Sequence, residues 1–255
     1  MTKRDQASIV NEQFGLQAAN YVASALHATG DDLKALATMV ADKTSARVLD
    51  LGCGGGHVSY NVAPHVAEVI AYDLSNDMLT AVAKEAKQRG LTNIGTVQGV
   101  AEKLPFPDQD FDFVFCRLTA HHWSDVSAGL KEARRVVKAG GRAVFIDVVS
   151  PGRPLLDTFL QTFEILRDPS HVRDYSVGEW TNMAQQAGFS VVRMGMNRMA
   201  IDFASWIARM KTPEANAHMI RTLQQQMADE VRAYYEIKED GSFAFDVMAL
   251  ELEPI

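Results

Sequence analysis

The chain has 255 residues, 47% of them hydrophobic and 22% charged, and carries a formal net charge of −7. That is the composition of a globular protein long enough to bury a core. Its acidity argues against nucleic-acid partners and anionic membrane surfaces, both of which need a basic face.

Residues 1–44 predict two helices, with apolar positions at Tyr21, Val22, Leu26 and again at Leu33, Leu36, Met39 and Val40. From Arg47 to about Ser150, short β-rich runs alternate with helical patterns, the signature of a parallel α/β sheet. The strands read "ARVLDLG", "EVIAYDL", "NIGTVQG", "FDFVFCRL" and "GRAVFIDVV". Helices are predicted at about 76–89, with Ser75 as N-cap and Gly90 behind the last turn, and at about 124–138, stopping at Gly140-Gly141. The strands are almost continuously apolar, as expected when helices cover both faces, and right-handed crossovers then make the sheet doubly wound.

After Pro154, "LLDTFLQTFEILRD" and "SVGEWTNMAQQAGF" have the pattern of amphipathic helices, and "FSVVRMGMNRMAI" that of a strand. The methionines of that strand read as gap-filling core. Residues 202–230 are helical again, broken at Thr212-Pro213, and the tail predicts a hairpin turning at Asp240-Gly241. These flanks interleave with the sheet too closely to form a second domain. The expectation is one domain over 1–255, with a core at 45–150 and helical additions at 1–44, 151–187 and 202–230.

No apolar run reaches the roughly 18 residues that a membrane helix needs, which predicts no membrane insertion. The start "MTKRDQASIVNEQFG" lacks a secretory hydrophobic region. Two cysteines, Cys53 and Cys116, make no disulfide framework. A cytoplasmic location is the reading. No Cys/His spacing suggests a metal site, and nothing in the sequence bears on oligomeric state.

The densest functional signal is "RVLDLGCGGGHVSY", in which a strand breaks into four glycines and a helix follows. A glycine cluster of this kind can be a plain tight turn. Here it lies at the carboxyl end of the first strand, where doubly wound sheets bind ligands. A second acid, Asp73, ends the next strand about 20 residues on, placed to hydrogen-bond both hydroxyls of an adenosine ribose. A dinucleotide fingerprint counted from Gly52 would put its third glycine on His57, so a nicotinamide oxidoreductase is disfavoured. Asp50 before the loop repels a pyrophosphate but attracts the sulfonium and ammonium of S-adenosylmethionine.

"VLDLGCGGG", "AYDLSNDML", "AEKLPFPDQDFDFVFCR" and "LKEARRVVKAGGRAVFID" together resemble the class I S-adenosylmethionine-dependent methyltransferases, nearest the ubiquinone and menaquinone C-methyltransferase group. Three further segments, "QFG…AANY", "AHHW" and "RDPSHVR", look like a set of bacterial relatives without an assigned substrate. The resemblance implies a Rossmann-like, seven-stranded sheet, mostly parallel with an antiparallel last strand, and helical additions around a substrate pocket. It implies that Asp50, Gly52, Cys53, Gly54 and Gly56 form the cofactor loop and that Asp73 holds the ribose. Leu74 and Met78 would sandwich the adenine, with Ala101 and Glu102 along its edge. Val100 stands where the group often has an acid that receives the adenine amino group.

Methyl transfer depends chiefly on alignment and has no obligatory catalytic motif. Arg117, His121 and His122, in "CRLTAHHWSD", emerge after the fourth strand beside the methyl-bearing end of the cofactor. Either histidine could serve as a general base, the plain alternative being a backbone hydrogen bond near a helix start. His171 and Arg173, in "RDPSHVRDY", offer an anion or carbonyl clamp, or else a solvated loop. Gln13, Phe14 and Tyr21 could close over the cofactor as a lid, or pack as an ordinary helix. The expected activity is methylation of a small molecule, C- or O-methylation of an aromatic or quinone-like metabolite, yielding S-adenosylhomocysteine. A non-catalytic sensor of S-adenosylmethionine is the rival.

Overall fold

The computed structural model describes residues 4–15 and 30–255. Seven strands form one sheet in the order β3-β2-β1-β4-β5-β7-β6. They are β1 (Arg47–Leu51), β2 (Glu68–Asp73), β3 (Ile94–Gln98), β4 (Phe111–Arg117), β5 (Val137–Val148), β6 (Phe189–Ile201) and β7 (Phe243–Pro254). β1 through β5 run parallel, and β7 lies between β5 and β6, antiparallel to both.

Period-two alternation sends successive strand residues to opposite faces, so each strand feeds two cores. Leu49, Ile70, Val114 and Phe145 pack on one face with helices α5 (Val126–Val136) and α7 (Val177–Gln186). Val48, Val69, Phe113 and Val144 pack on the other face with α2 (Asp31–Met39) and α3 (His57–Val62). Each fully buried aromatic or aliphatic side chain contributes roughly 1.5–3 kcal/mol, and these two layers hold the sheet rigid. Helix α4 (Asn76–Gln88) starts where expected, with Ser75 Oγ accepting from Met78 N–H at 3.4 Å.

Helices α6 (Pro154–Arg167), α8 (Phe203–Met210), α9 (Glu214–Gln226) and α10 (Asp229–Tyr234) enclose a third core with the far end of β7. Phe163 is its hub, stacked on Phe245 at 5.8 Å and edge-on to Trp206 at 5.6 Å. The first helix, α1 (Gln6–Gly15), lies near the carboxyl ends of the central strands, where its side chains reach the cleft described below. Among the described residues, no helix is long and apolar enough to cross a membrane.

Three local expectations need correction. The tail is not a hairpin: Asp240 Oδ1 caps Ser242 N–H at 2.8 Å to make the turn, but α10 precedes it and only β7 follows. Tertiary pairing with β5 and β6 replaces the local partner. The strand after α5 starts at Val137 rather than after the glycine pair. Gly141 permits this, because a Cβ there would meet the Asp112 carbonyl oxygen at 2.6 Å, so glycine lets β5 pass close to β4. Finally, Met194 and Met196 are each 46% exposed, because β6 is an edge strand and its middle has no covering layer.

Candidate functional site

Backbone donors build the glycine loop. Gly52 N–H and Cys53 N–H both donate to the Tyr72 carbonyl, at 2.8 and 2.9 Å, which ties the exit of β1 to the end of β2. Gly54 N–H donates to Asp73 Oδ2 at 2.8 Å, and Ser75 N–H donates to Asp73 Oδ1 at 2.9 Å. Burial raises the Asp73 pKa, and these backbone donors oppose the shift. Each of its oxygens keeps a second lone pair for a ligand hydroxyl.

Two glycines of the loop have different tasks. Gly54 has φ +48°, and a Cβ there would meet nothing within 4 Å, so its bare backbone faces open space. Gly56 has φ +78°, and a Cβ would strike the Tyr60 ring at 2.8 Å. It does not line the cleft, so the predicted cofactor contact becomes a packing requirement at the start of α3. Asp50 is 1% exposed, and its Oδ2 accepts from Ser59 N–H at 3.0 Å and Ser59 Oγ–H at 2.6 Å. Burial, against those two hydrogen bonds, raises its pKa to about 6. The acid expected to face a cation is therefore also a clamp on α3.

These elements border a cleft that opens to solvent. Of the residues expected at the cofactor, Asp50, Gly52, Cys53, Gly54, Asp73, Leu74, Met78, Ala101, Glu102 and Arg117 line it. Glu102 Oε1 accepts from Asp125 N–H at 3.2 Å, and Arg117 Nε donates to Asp32 of α2. Phe14 lines the cleft together with Gln6, Ala7 and Val10, one and two turns earlier on α1. Gln13 does not; its Nε2 donates to the Met210 carbonyl at 3.4 Å, tying α1 to α8. Tyr21 lies outside the described residues.

The paired histidines sit on a short turn, Ala120–His122, and part company there. His122 lines the cleft, with the Phe14 ring edge-on at 4.9 Å. His121 is not among the lining residues. Its Nδ1 is 2.6 Å from Asp147 Oδ1, and its backbone N–H reaches Asp147 Oδ2 at 3.2 Å. Burial disfavours charge on His121, but Asp147, with Asp174 and Glu164 beyond it, prevails and raises its pKa to about 9. Burial and then the charge on His121 lower the pKa of His122 to about 4.

Nor do His171 and Arg173 line the cleft. Val172 N–H and Arg173 N–H donate to the His121 carbonyl at 2.8 and 3.2 Å, so this segment straps the histidine turn in place. His171 Nε2 pairs with Gln161 Oε1 at 2.9 Å, and the Arg173 guanidinium meets Asp157 and Glu179. Burial and then the neighbouring positive groups hold His171 neutral, well below the ordinary histidine range. The helical additions after Pro151 thus shape the site by support, while α1 supplies the lining side chains. Sequence reasoning missed Gln6, Ala7, Val10, Thr119 and Trp123 on the walls and Asp147 behind them. Only Asp147 had a legible signal, as an acid inside the apolar run "AVFIDVV".

A methyltransferase domain model matches residues 49–145. The chain is 46% identical over 200 residues to YafE of Escherichia coli K12, an uncharacterised protein, covering 78% of this chain and 97% of that one. It is 37% identical to the uncharacterised methyltransferase YcgJ of Bacillus subtilis 168, covering 86% and 87%. The YcgJ crystal structure superposes with a TM-score of 0.82 over 88% of this chain and 99% of that one, at 33% identity. A 2-phytyl-1,4-naphtoquinone methyltransferase from Synechococcus elongatus is 29% identical, covering 72% and 80%.

Proposed function

The chain belongs to the class I S-adenosylmethionine-dependent methyltransferases, and from that premise we propose that it methylates a small molecule bound beside the cofactor in the cleft. The observation that carries the proposal is the open backbone of Gly54 beside the Asp73 carboxylate, on the same cleft as the His122 ring. The first two suit an adenosyl ligand, since a side chain at position 54 would occupy the space such a ligand needs.

Asp73 would hold the ribose, Leu74 and Met78 the faces of the adenine, and Ala101 with Glu102 its edge. The backbone of Gly52, Cys53 and Gly54 would follow the ligand chain, and Asp50 would draw its amino end. Val100 offers no acid to the adenine amino group, which leaves backbone groups and Glu102 for that task. When bound, S-adenosylmethionine supplies an electrophilic methyl group and S-adenosylhomocysteine is the product. The protein's own contribution is to align the acceptor and exclude water, and alignment of this kind is worth roughly 7–11 kcal/mol.

Apolar walls from Val10, Phe14, Leu118 and Trp123 favour an acceptor with an apolar or aromatic body, and the naphtoquinone relative supports C- or O-methylation of such a molecule. Calorimetric titration with S-adenosylmethionine, followed by a metabolite-extract screen for acceptor-dependent S-adenosylhomocysteine, tests the reading. Absence of cofactor binding would sink it. Binding without turnover on any extract would favour a sensor of the cofactor.

A further inference from the structure

The two ring nitrogens of His122 face different surroundings. Nδ1 is 3.2 Å from the Ser170 carbonyl oxygen and 3.3 Å from Ser170 Oγ. A carbonyl oxygen only accepts. The Ser170 hydroxyl gives its proton to Asp168 Oδ1 at 2.6 Å, and Ser170 N–H donates to the same oxygen at 2.8 Å. Both Ser170 oxygens therefore meet the imidazole as acceptors, and the ring proton must sit on Nδ1. The free lone pair is left on Nε2, in a ring that lines the cleft. Hydrogen bonding at one nitrogen selects what the other can do.

His121 also turns Nδ1 to an acceptor, in its case a carboxylate. Its Nδ1 is bound to a carboxylate that is 1% exposed, and the same carboxylate receives its backbone N–H. The ring centroids of His121 and His122 are 4.2 Å apart, close enough for a charge on one to oppose a charge on the other.

Resting on the methyl-transfer reading above, we propose that His122 takes the proton of the methyl acceptor, that Asp168 and Ser170 are positioning residues for its tautomer, and that Asp147–His121 is a buried ion pair beside it. In that step the acceptor X–H bond breaks and the proton goes to Nε2. The electron pair left on X forms the new bond to the methyl carbon as the methyl–sulfur bond breaks and leaves its electron pair on sulfur. The positive charge lost at sulfur reappears on His122 until its proton passes to solvent. The acceptor class is therefore one whose reacting atom carries a removable proton, a phenolic or enolic hydroxyl or an acidic C–H.

The charged and titratable groups around the pair all enter its balance. Asp168 from the loop after α6 and Asp147 from β5 face His122, with Gln6 and Phe14 of α1 its neutral neighbours. Asp147, Asp174 and Glu164 face His121, with His171 at 5.9 Å between ring centroids. The acids around His121 keep it charged, and its charge keeps His122 free to accept.

Long-range proton–nitrogen correlation spectra of the histidine-labelled full chain test this without an acceptor. The expected wild-type pattern at pH 7 is His122 neutral with hydrogen on Nδ1 and His121 protonated on both nitrogens. Asp147→Asn should leave His121 neutral and move the His122 titration upward by about one pH unit, since the lost cation outweighs the lost acid. Asp168→Ala frees the Ser170 hydroxyl to donate, and the Nε2–H form of His122 should become populated. Hydrogen on Nε2 in the wild type, or a neutral His121 at pH 7, would overturn the proposal whether or not the variants fold. S-adenosylhomocysteine titrated into the same sample separates the premise from the inference. Binding with the wrong tautomer removes only the role of His122. The right tautomer without binding removes the methyl-transfer reading, and the proton-acceptor role with it.

Discussion

Gly54 N–H donates to Asp73 Oδ2 at 2.8 Å, so one carboxylate at the end of β2 both shapes the glycine loop and stands at the rim of the cleft. Backbone geometry at the end of β1 and ligand chemistry at the end of β2 are thereby coupled. The same oxygen that orders the loop keeps a second lone pair for a ligand hydroxyl. Perturbing either partner should show in the affinity for S-adenosylmethionine before it shows in the fold.

Asp73→Ala should weaken that affinity at least tenfold, since a hydrogen bond to a charged group contributes roughly 1.5–3 kcal/mol. Asp73→Asn, which retains an acceptor oxygen, should lie between the wild type and the alanine variant. Calorimetry reads both. An unchanged dissociation constant for Asp73→Ala would remove this residue from the site.

Gly54→Val should fold and lose the cofactor. The added Cβ itself meets nothing within 4 Å, so the chief cost to stability is a β-branched residue in left-handed backbone, roughly 1–3 kcal/mol. Circular dichroism should stay native, while the thermal shift induced by S-adenosylhomocysteine should vanish. A wild-type shift would show that position 54 does not meet the ligand.

Gly56→Ala should do the opposite. Its Cβ would lie 2.8 Å from the Tyr60 ring, and φ is +78°, so the folded state should lose roughly 1–3 kcal/mol. Urea unfolding with and without saturating cofactor should show lower stability and a near-normal ligand increment. A variant as stable as the wild type would contradict the packing role.

The histidine cluster makes stability depend on pH in two opposite directions. His121 has its folded pKa raised from 6.5 to about 9, so its contribution is complete below pH 6.5 and is lost as pH rises through 9. Its size is on the order of 3 kcal/mol. His122, lowered to about 4, and His171, also lowered, must stay neutral in the fold, so stability falls as pH drops below 6.5. Urea midpoints between pH 5 and 10 should trace a maximum near neutrality, and Asp147→Asn should flatten the alkaline limb. A wild-type curve level from pH 7 to 10 would exclude the His121–Asp147 pair as its cause.

Much of the parallel sheet was legible because its signals are local. Strand runs, the Ser75 cap and the glycine break depend on residues within one or two turns of each other, where propensity and turn chemistry act. The pairing of the glycine loop with Asp73 was legible for a related reason. A loop at the end of β1 and an acid at the end of β2 meet whenever two parallel strands are neighbours.

Other features were settled by contacts between distant parts of the chain. The strand "FSVVRMGMNRMAI" has the composition of a core strand, yet its place at the sheet edge exposes Met194 and Met196. The tail carries a turn sequence, but strands from elsewhere become the partners of β7.

The paired histidines divide these two kinds of information most clearly. The sequence by itself placed two imidazoles after the fourth strand, at the ligand edge of a methyltransferase sheet. It could not distinguish them, because adjacent residues share the same local signals. Only the tertiary structure did so: Asp147, 26 positions from His121, and Ser170, 48 positions from His122, each claim one ring. The protonation of an imidazole is set by what hydrogen-bonds to it and by how deeply it is buried, and both are properties of the folded chain.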